Sequence, residues 1–252
     1  MEQESQDHHL SRISTLWTVV CHAKGGPAAA VTAAQEELMR RYRRAVYRYL
    51  LGALREPEAA DELTQEFALR FLRGDCRQAD PQRGRFRDFV KGVLFHLIVD
   101  YHRRKRRQPQ RLLEDGDEPA AADPSPGDLF DRGFRDSWRE ELLARAWDAL
   151  ARIQNETGQP FHSVLRFRIE HPDSRSSEMA VELSAQLKHR VTADWVRQTL
   201  HRGRDKFADL LLAEVAETLP DPTAEELHSE LSDLGLLTYC QPALKRYRPR
   251  SG

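Results

Sequence analysis

An all-α fold of two small helical domains joined by a flexible linker is predicted from three observations. Apolar residues recur at spacings of three and four in several separate stretches, the period of one helix face turned toward a core. Charged residues make up 31% of the chain and aromatics only 8%, a balance suited to helices with wide solvated faces and modest cores, and poorly suited to a β-sandwich. Between Gln108 and Asp136 the chain carries Pro109, Pro119, Pro124 and Pro126 among small and acidic residues, too few of them large and apolar to build a core. A chain of 252 residues can form one large domain or two small ones, and this linker decides for two.

The elements follow in order. An N-terminal extension over residues 1–32 precedes a front domain over 33–107. There Leu38, Tyr42, Val46, Tyr49 and Ala53 mark a first helix face, with arginines on the other side. Pro57 breaks that pattern, and Ala60, Leu63, Phe67 and Phe71 form a second stripe that ends before Gly74. The widest stripe is the third, Phe86, Phe89, Val90, Val93, Leu94, Leu97, Ile98 and Tyr101, so its helix should be the most buried of a three-helix bundle. After the linker, 108–136, a rear domain over 137–218 opens with Trp138, Leu142, Leu143, Ala146, Trp147 and Leu150. Val164, Leu165 and Ile169 come next, then Met179, Leu183 and Leu187, and finally Trp195, Val196, Leu200, Phe207, Leu210 and Leu211. A tail over 219–252 carries Leu227, Leu231 and Leu234 at helical spacing and could dock on either domain.

Composition also limits function. Cys21, Cys76 and Cys240 lie far apart, with no CxxC pair and no nearby His at metal-ligand spacing, so free thiols are expected and neither a metal site nor a cofactor. The one early apolar run, Leu16 to Cys21, is too short for a membrane span or a signal-peptide core, and a cytoplasmic protein with no membrane partner is expected. No nucleophile–base set, metal spacing or glycine-rich phosphate loop occurs, which argues against an enzyme.

Local charge is more telling than the total. The chain holds 39 Lys plus Arg against 40 Asp plus Glu, a formal net charge of -1. Yet Arg103, Arg104, Lys105, Arg106 and Arg107 close the most apolar helix. A few cations there match the helix dipole, but five exceed that need and suit phosphate contact. Glu114, Asp115, Asp117, Glu118, Asp123, Asp128 and Asp131 supply the opposing charge along the linker, either as a solubilising spacer or as a strip that masks the basic pole. Asp61, Glu62, Gln65 and Glu66 lie opposite the second stripe; adjacent carboxylates on a helix diverge by about 100 degrees, so acid–base chemistry is set aside. The run from Ser176 to Arg204 has the form of a helix-turn-helix. Thr192 would cap its second helix, with Trp195, Val196 and Leu200 inward and Asp194, Arg197, Gln198, His201 and Arg202 outward toward a major groove.

Together the halves resemble the sigma-70 family, in its short extracytoplasmic-function type. The family's Ala-Glu-Asp-Leu-x-Gln-Glu stretch reads here as Ala60-Asp61-Glu62-Leu63-Thr64-Gln65-Glu66, and its next helix is matched by Phe89, Val90, Val93, Leu94, His96, Asp100, Arg103 and Arg104. Phe89 stands where the family has Trp, and His96 where it has Asn. The rear domain matches at Glu178-Met179-Ala180 and from Trp195 through Arg202-Gly203-Arg204, with a longer turn between. Ile13-Ser14-Thr15-Leu16-Trp17 and the tail from Leu231 to Leu244 resemble extensions in sigma factors of planctomycete-type bacteria.

The resemblance implies a monomeric promoter-recognition subunit that binds RNA polymerase core, at the beta-prime clamp and beta flap, and opens promoter DNA. It also admits an anti-sigma partner. Asp61, Glu62, Gln65 and Glu66 would meet polymerase. His96, Asp100 and the pole would handle the upstream melted element, and Arg204 would join the rear DNA-facing set. The loop Arg73 to Arg85, with Arg77, Arg83 and Arg85 beside Phe86, offers cations for a displaced strand, although Phe86 itself reads as core. The alternative is a stand-alone helix-turn-helix regulator, which would leave the front domain without a role.

Overall fold

The computed structural model describes residues 28–73, 85–107, 126–219 and 222–248. Every regular element among them is an α-helix, in accord with the all-α reading. In chain order these are α1 (Ala28–Leu54), α2 (Pro57–Arg73), α3 (Phe86–Arg107), α4 (Pro126–Thr157), α5 (Phe161–Glu170), α6 (Ser176–Leu187), α7 (Ala193–Ala216), α8 (Ala224–Asp233) and α9 (Leu237–Arg246). Among the described residues, those up to Glu141 and the short return after α7 form one unit. Leu142–Ala216 and the segment from Pro222 onward form the other.

In the first unit α1 packs along α2, and α3 closes the group. The expected stripes are buried at Leu38, Tyr42, Val46 and Tyr49, at Ala60, Leu63, Phe67 and Phe71, and at Phe86, Val90, Leu94, Leu97 and Ile98. Ala53 is an exception and faces solvent, because the chain reverses on the side of buried Leu50 and Leu54. That reversal uses Arg55 in the left-handed region at φ 55°, its N–H held by the Leu51 carbonyl at 2.8 Å. Pro57 then opens α2 at a first-turn position where its missing N–H costs nothing.

Two boundaries move relative to the sequence reading. Helix α1 begins at Ala28 and buries Val31, so residues 28–32 belong to the first core helix and not to an extension. Residues 126–136, read from sequence as linker, are helical and open α4. Their Gly and Asp content suggested a tether, but two aromatic residues override that weak propensity by burial. Phe134 and Trp138 are both buried. Trp138, expected in the rear core, stacks on Tyr42 with ring centroids 4.6 Å apart and planes 5° from parallel, and leans on Phe86 at 5.9 Å. The front bundle therefore has a fourth helical segment, contributed from beyond the linker.

Arg41, expected on the outer face of α1, is also buried. Its guanidinium meets Glu37 at 2.8 Å and the carboxylate of Glu217 in the return segment. Burial works against its charge, but Glu217 and Glu37 more than compensate and raise its pKa. Glu37 receives hydrogen bonds from Arg40 and Arg41, and its carboxyl is lowered from 4.5 to about 2, against the opposing pull of burial.

The second unit is built on α7, which packs against α5, α6, α8 and α9. Leu150, Val164, Leu165, Phe167, Met179, Leu183, Val196 and Leu200 share its core. Phe167 takes the inward place expected of Ile169, which is 63% exposed, and Thr199 is buried where Trp195 is only partly so. Gly203 allows α7 to approach α5, since a Cβ there would lie 3.2 Å from Leu165 Cγ. The tail docks within this unit, with Leu227, Leu231, Leu234 and Cys240 buried and Arg246 bonded to Asp209 of α7 at 2.7 Å. Burial, aided by Asp209, pushes the Cys240 thiol up to about 12, so it stays neutral. Cys21 and Cys76 lie outside the described residues.

Replacing Trp138 by Ala should destabilise the first unit by about 3–5 kcal/mol, although the residue follows the linker. Denaturant unfolding with hydrogen exchange along α1 and α3 reads this directly. Because Glu37 is depressed in the folded chain, its contribution is present above pH 4.5 and disappears as pH falls toward about 2. The stability gap between wild type and Glu37→Gln should therefore be open at neutral pH and close across that window in acid-unfolding curves.

Candidate nucleic-acid interface

On α2, burial of Ala60, Leu63 and Phe67 turns Asp61, Glu62 and Gln65 to solvent. Glu66 lies a further turn-fraction round the helix and is partly covered. Its carboxylate is held by Arg70 of the same helix, and Arg104 of α3 reaches it at 3.5 Å. Two residues assigned by sequence to different surfaces, Glu66 and Arg104, thus meet directly.

The cationic end of α3 is not uniformly free. Arg103 is 4.0 Å from Asp100, one turn back. Lys105 is bonded to Glu56 and sits 5.8 Å from the centroid of the Tyr101 ring, while the Tyr101 hydroxyl donates to Glu56 at 2.7 Å. Those contacts lower the pKa of Glu56, first through the Lys105 hydrogen bond, and raise those of Lys105 and Tyr101 for the same reason. Arg106 and Arg107 are exposed, with no ion-pair partner among the described residues. His96 is exposed beside the Phe95 ring at 5.8 Å. Arg85 stands half-buried just before α3, and its carbonyl accepts from the N–H of Asp88. Phe86 is a core ring. Arg77 and Arg83 lie outside the described residues, as do the linker acids from Glu114 to Asp123.

In the second unit α6, a turn and α7 form the expected helix-turn-helix. Helix α6 starts with the Glu178 carboxylate accepting from the Arg175 N–H at 2.7 Å and stops at Lys188, which turns the chain at φ 57°. Ser184 braces the turn, its Oγ donating to the Ala180 carbonyl and accepting from the Val191 N–H at 3.0 Å. Thr192 caps α7 as read from sequence, its Oγ1 accepting from the Trp195 N–H at 3.2 Å. With Val196, Thr199, Leu200 and Gly203 buried, Asp194, Arg197, Gln198, His201, Arg202 and Arg204 all face solvent. Arg197 is paired with Asp194, and His201 lies 3.6 Å from Asp205.

Sequence reasoning missed Glu56, Lys188, Arg190 and Ser184. The only local mark of Glu56 is its position before Pro57, and its partners lie 45 and 49 residues away. Lys188 and Arg190 are exposed in the turn that leads into α7.

The family described as Sigma-70 region 2 matches residues 38–108, which takes in most of α1 and all of α2 and α3. The ECF RNA polymerase sigma factor SigE of Mycolicibacterium smegmatis is 26% identical over 208 residues, covering 80% of this chain and 70% of that protein. Residues 38–108 are thus similar to sigma-70 region 2, and most of the chain is similar to an ECF sigma factor. No solved structure matches the chain. The α2 and α3 surfaces therefore lie in the segment similar to region 2, and the α6–α7 helix-turn-helix lies beyond the matched segment. Among the described residues, no helix is long and apolar enough to cross a membrane. Replacing Thr192 by Ala should cost the second unit about 1 kcal/mol, seen as a lower urea midpoint with an unchanged slope.

Proposed function

We propose that this chain is a sigma factor, which binds RNA polymerase core through α2 and delivers it to promoter DNA through two further surfaces, the end of α3 and the outer face of α7. Polymerase would be met at the clamp by Asp61, Glu62, Gln65 and Glu66, and at the flap by the second unit. The observation that carries this reading is that the segment matched as region 2 holds both an exposed acidic and amide face on α2 and a five-cation end on α3.

The mechanism rests on electrostatics and shape. Cations on α3 neutralise phosphates and release counterions, a term independent of sequence. The α7 face, with Arg197, Gln198, His201 and Arg202, suits base edges and phosphates in a major groove, and Lys188 and Arg190 add backbone contacts at its start. For Arg197 to reach a base it must leave Asp194, an exposed pair that costs at most about 1 kcal/mol to break. Strand opening would follow once both surfaces are engaged, with Arg83 and Arg85 near the displaced strand and His96 and Asp100 along the same helix as the pole.

Run-off transcription with purified core polymerase on a genomic library, with and without the protein, should yield start sites that appear only with it. No new start site would overturn the reading. Replacing Asp61 and Gln65 by Arg should abolish co-elution with core while far-UV circular dichroism stays unchanged. These exposed positions are the sharper test of the α2 face, because Glu66 is already bonded within the chain.

A further inference from the structure

Among the described residues, carboxylates outside the linker meet the cationic end of α3. Asp131 pairs with Lys91, not with the end of α3. The carboxylates that meet the pole are Glu56, from the turn between α1 and α2, and Glu66, from the middle of α2. Each holds one cation of the pole, Lys105 and Arg104 respectively, and Glu66 also holds Arg70 of its own helix. Glu56 is further oriented by the Tyr101 hydroxyl, so it is presented to Lys105 in a defined position.

We propose that Glu56 and Glu66 act as internal phosphate surrogates, occupying Lys105 and Arg104 in the free chain and yielding them only to a competing polyanion. This rests on the reading that the α3 end contacts DNA phosphates. The backbone conformation supports it, since Arg55 adopts a left-handed conformation that an L side chain rarely takes, and this turn delivers Glu56 to the end of α3. The hydrogen bonds from Lys105 and Tyr101 lower the pKa of Glu56 and so favour its charged form.

Exposure sets the strength. Lys105 is 56% exposed, Arg104 54% and Glu56 45%. Pairs this open are weak, so they form a graded competitor and not a lock. A phosphate that replaces the carboxylate gains counterion release that the internal pair does not. The consequence is a chain that holds its pole partly neutralised until DNA is presented at high local concentration. That limits binding to arbitrary duplex.

The test uses the full chain without polymerase, titrated onto a labelled duplex of random sequence over a range of salt. Glu56→Gln and Glu66→Gln should each bind more tightly, with a log K against log salt slope steeper by up to about 0.9 for the one freed cation. Glu36→Gln removes the same charge at an exposed position near the opposite end of α1 and should leave the slope unchanged. Adding Lys105→Ala to Glu56→Gln, or Arg104→Ala to Glu66→Gln, should erase each gain. An unaltered slope in both glutamate variants, or an equal steepening in Glu36→Gln, overturns the proposal. Alanine at all five positions from Arg103 to Arg107 separates the two levels. If that variant keeps the wild-type slope, the pole does not touch phosphates and the functional reading fails there as well. If it flattens the slope while the glutamate variants do nothing, only the surrogate role falls.

Discussion

A continuous line of aromatic rings is the interaction on which the first unit depends. Phe67 and Phe71 of α2 lead to Phe86 of α3, then to Tyr42 of α1 and Trp138 of α4, and on to Phe134 and Tyr49. Neighbouring centroids lie between 4.6 and 6.1 Å, the range in which rings attract beyond simple burial. Each ring belongs to a different turn of helix, so their mutual packing sets the rotation of all four segments at once. Once those rotations are set, Asp61, Glu62 and Gln65 have no choice but to face solvent on α2, and the Arg-rich end of α3 projects beyond the core.

Electrostatics are arranged on top of that core in two different ways. Arg41 is enclosed and needs Glu37 and Glu217, because an unpaired buried guanidinium would be strongly destabilising. At the end of α3 the pairs are open to water, and their partners can be exchanged. The same residue chemistry thus serves structure where water is excluded and, under the function proposed above, reversible binding where it is not. A near-zero net charge hides both.

In the second unit the outward set on α7 depends on a turn that three short devices hold in place. Lys188 reverses the chain, Ser184 ties Val191 back to α6, and Thr192 satisfies the Trp195 N–H in the first turn of α7. Burial of Val196, Thr199 and Leu200 then leaves Arg197, Gln198, His201 and Arg202 on one side. The tail strengthens this arrangement by covering the far half of α7, where Leu211, Leu212 and Val215 are buried.

Helix class, most of the apolar stripes, the Thr192 cap and the outward set on α7 were legible in the sequence. Each depends on residues within a few turns of one another, and periodicity and capping are local properties. The polar residues of the α2 face were legible for the same reason. What only the tertiary structure decided involves groups distant along the chain. Trp138 joins the front rings, because burial of its large surface outweighs a linker-like neighbourhood. Arg41 goes inside, because Glu217 comes back from the far end of α7 to meet it. Glu56 reaches Lys105, because one left-handed residue turns α1 into α2 at that point. No spacing rule reports such partners, since they are chosen by where the chain returns and by how much unpaired charge and apolar surface that return removes from water.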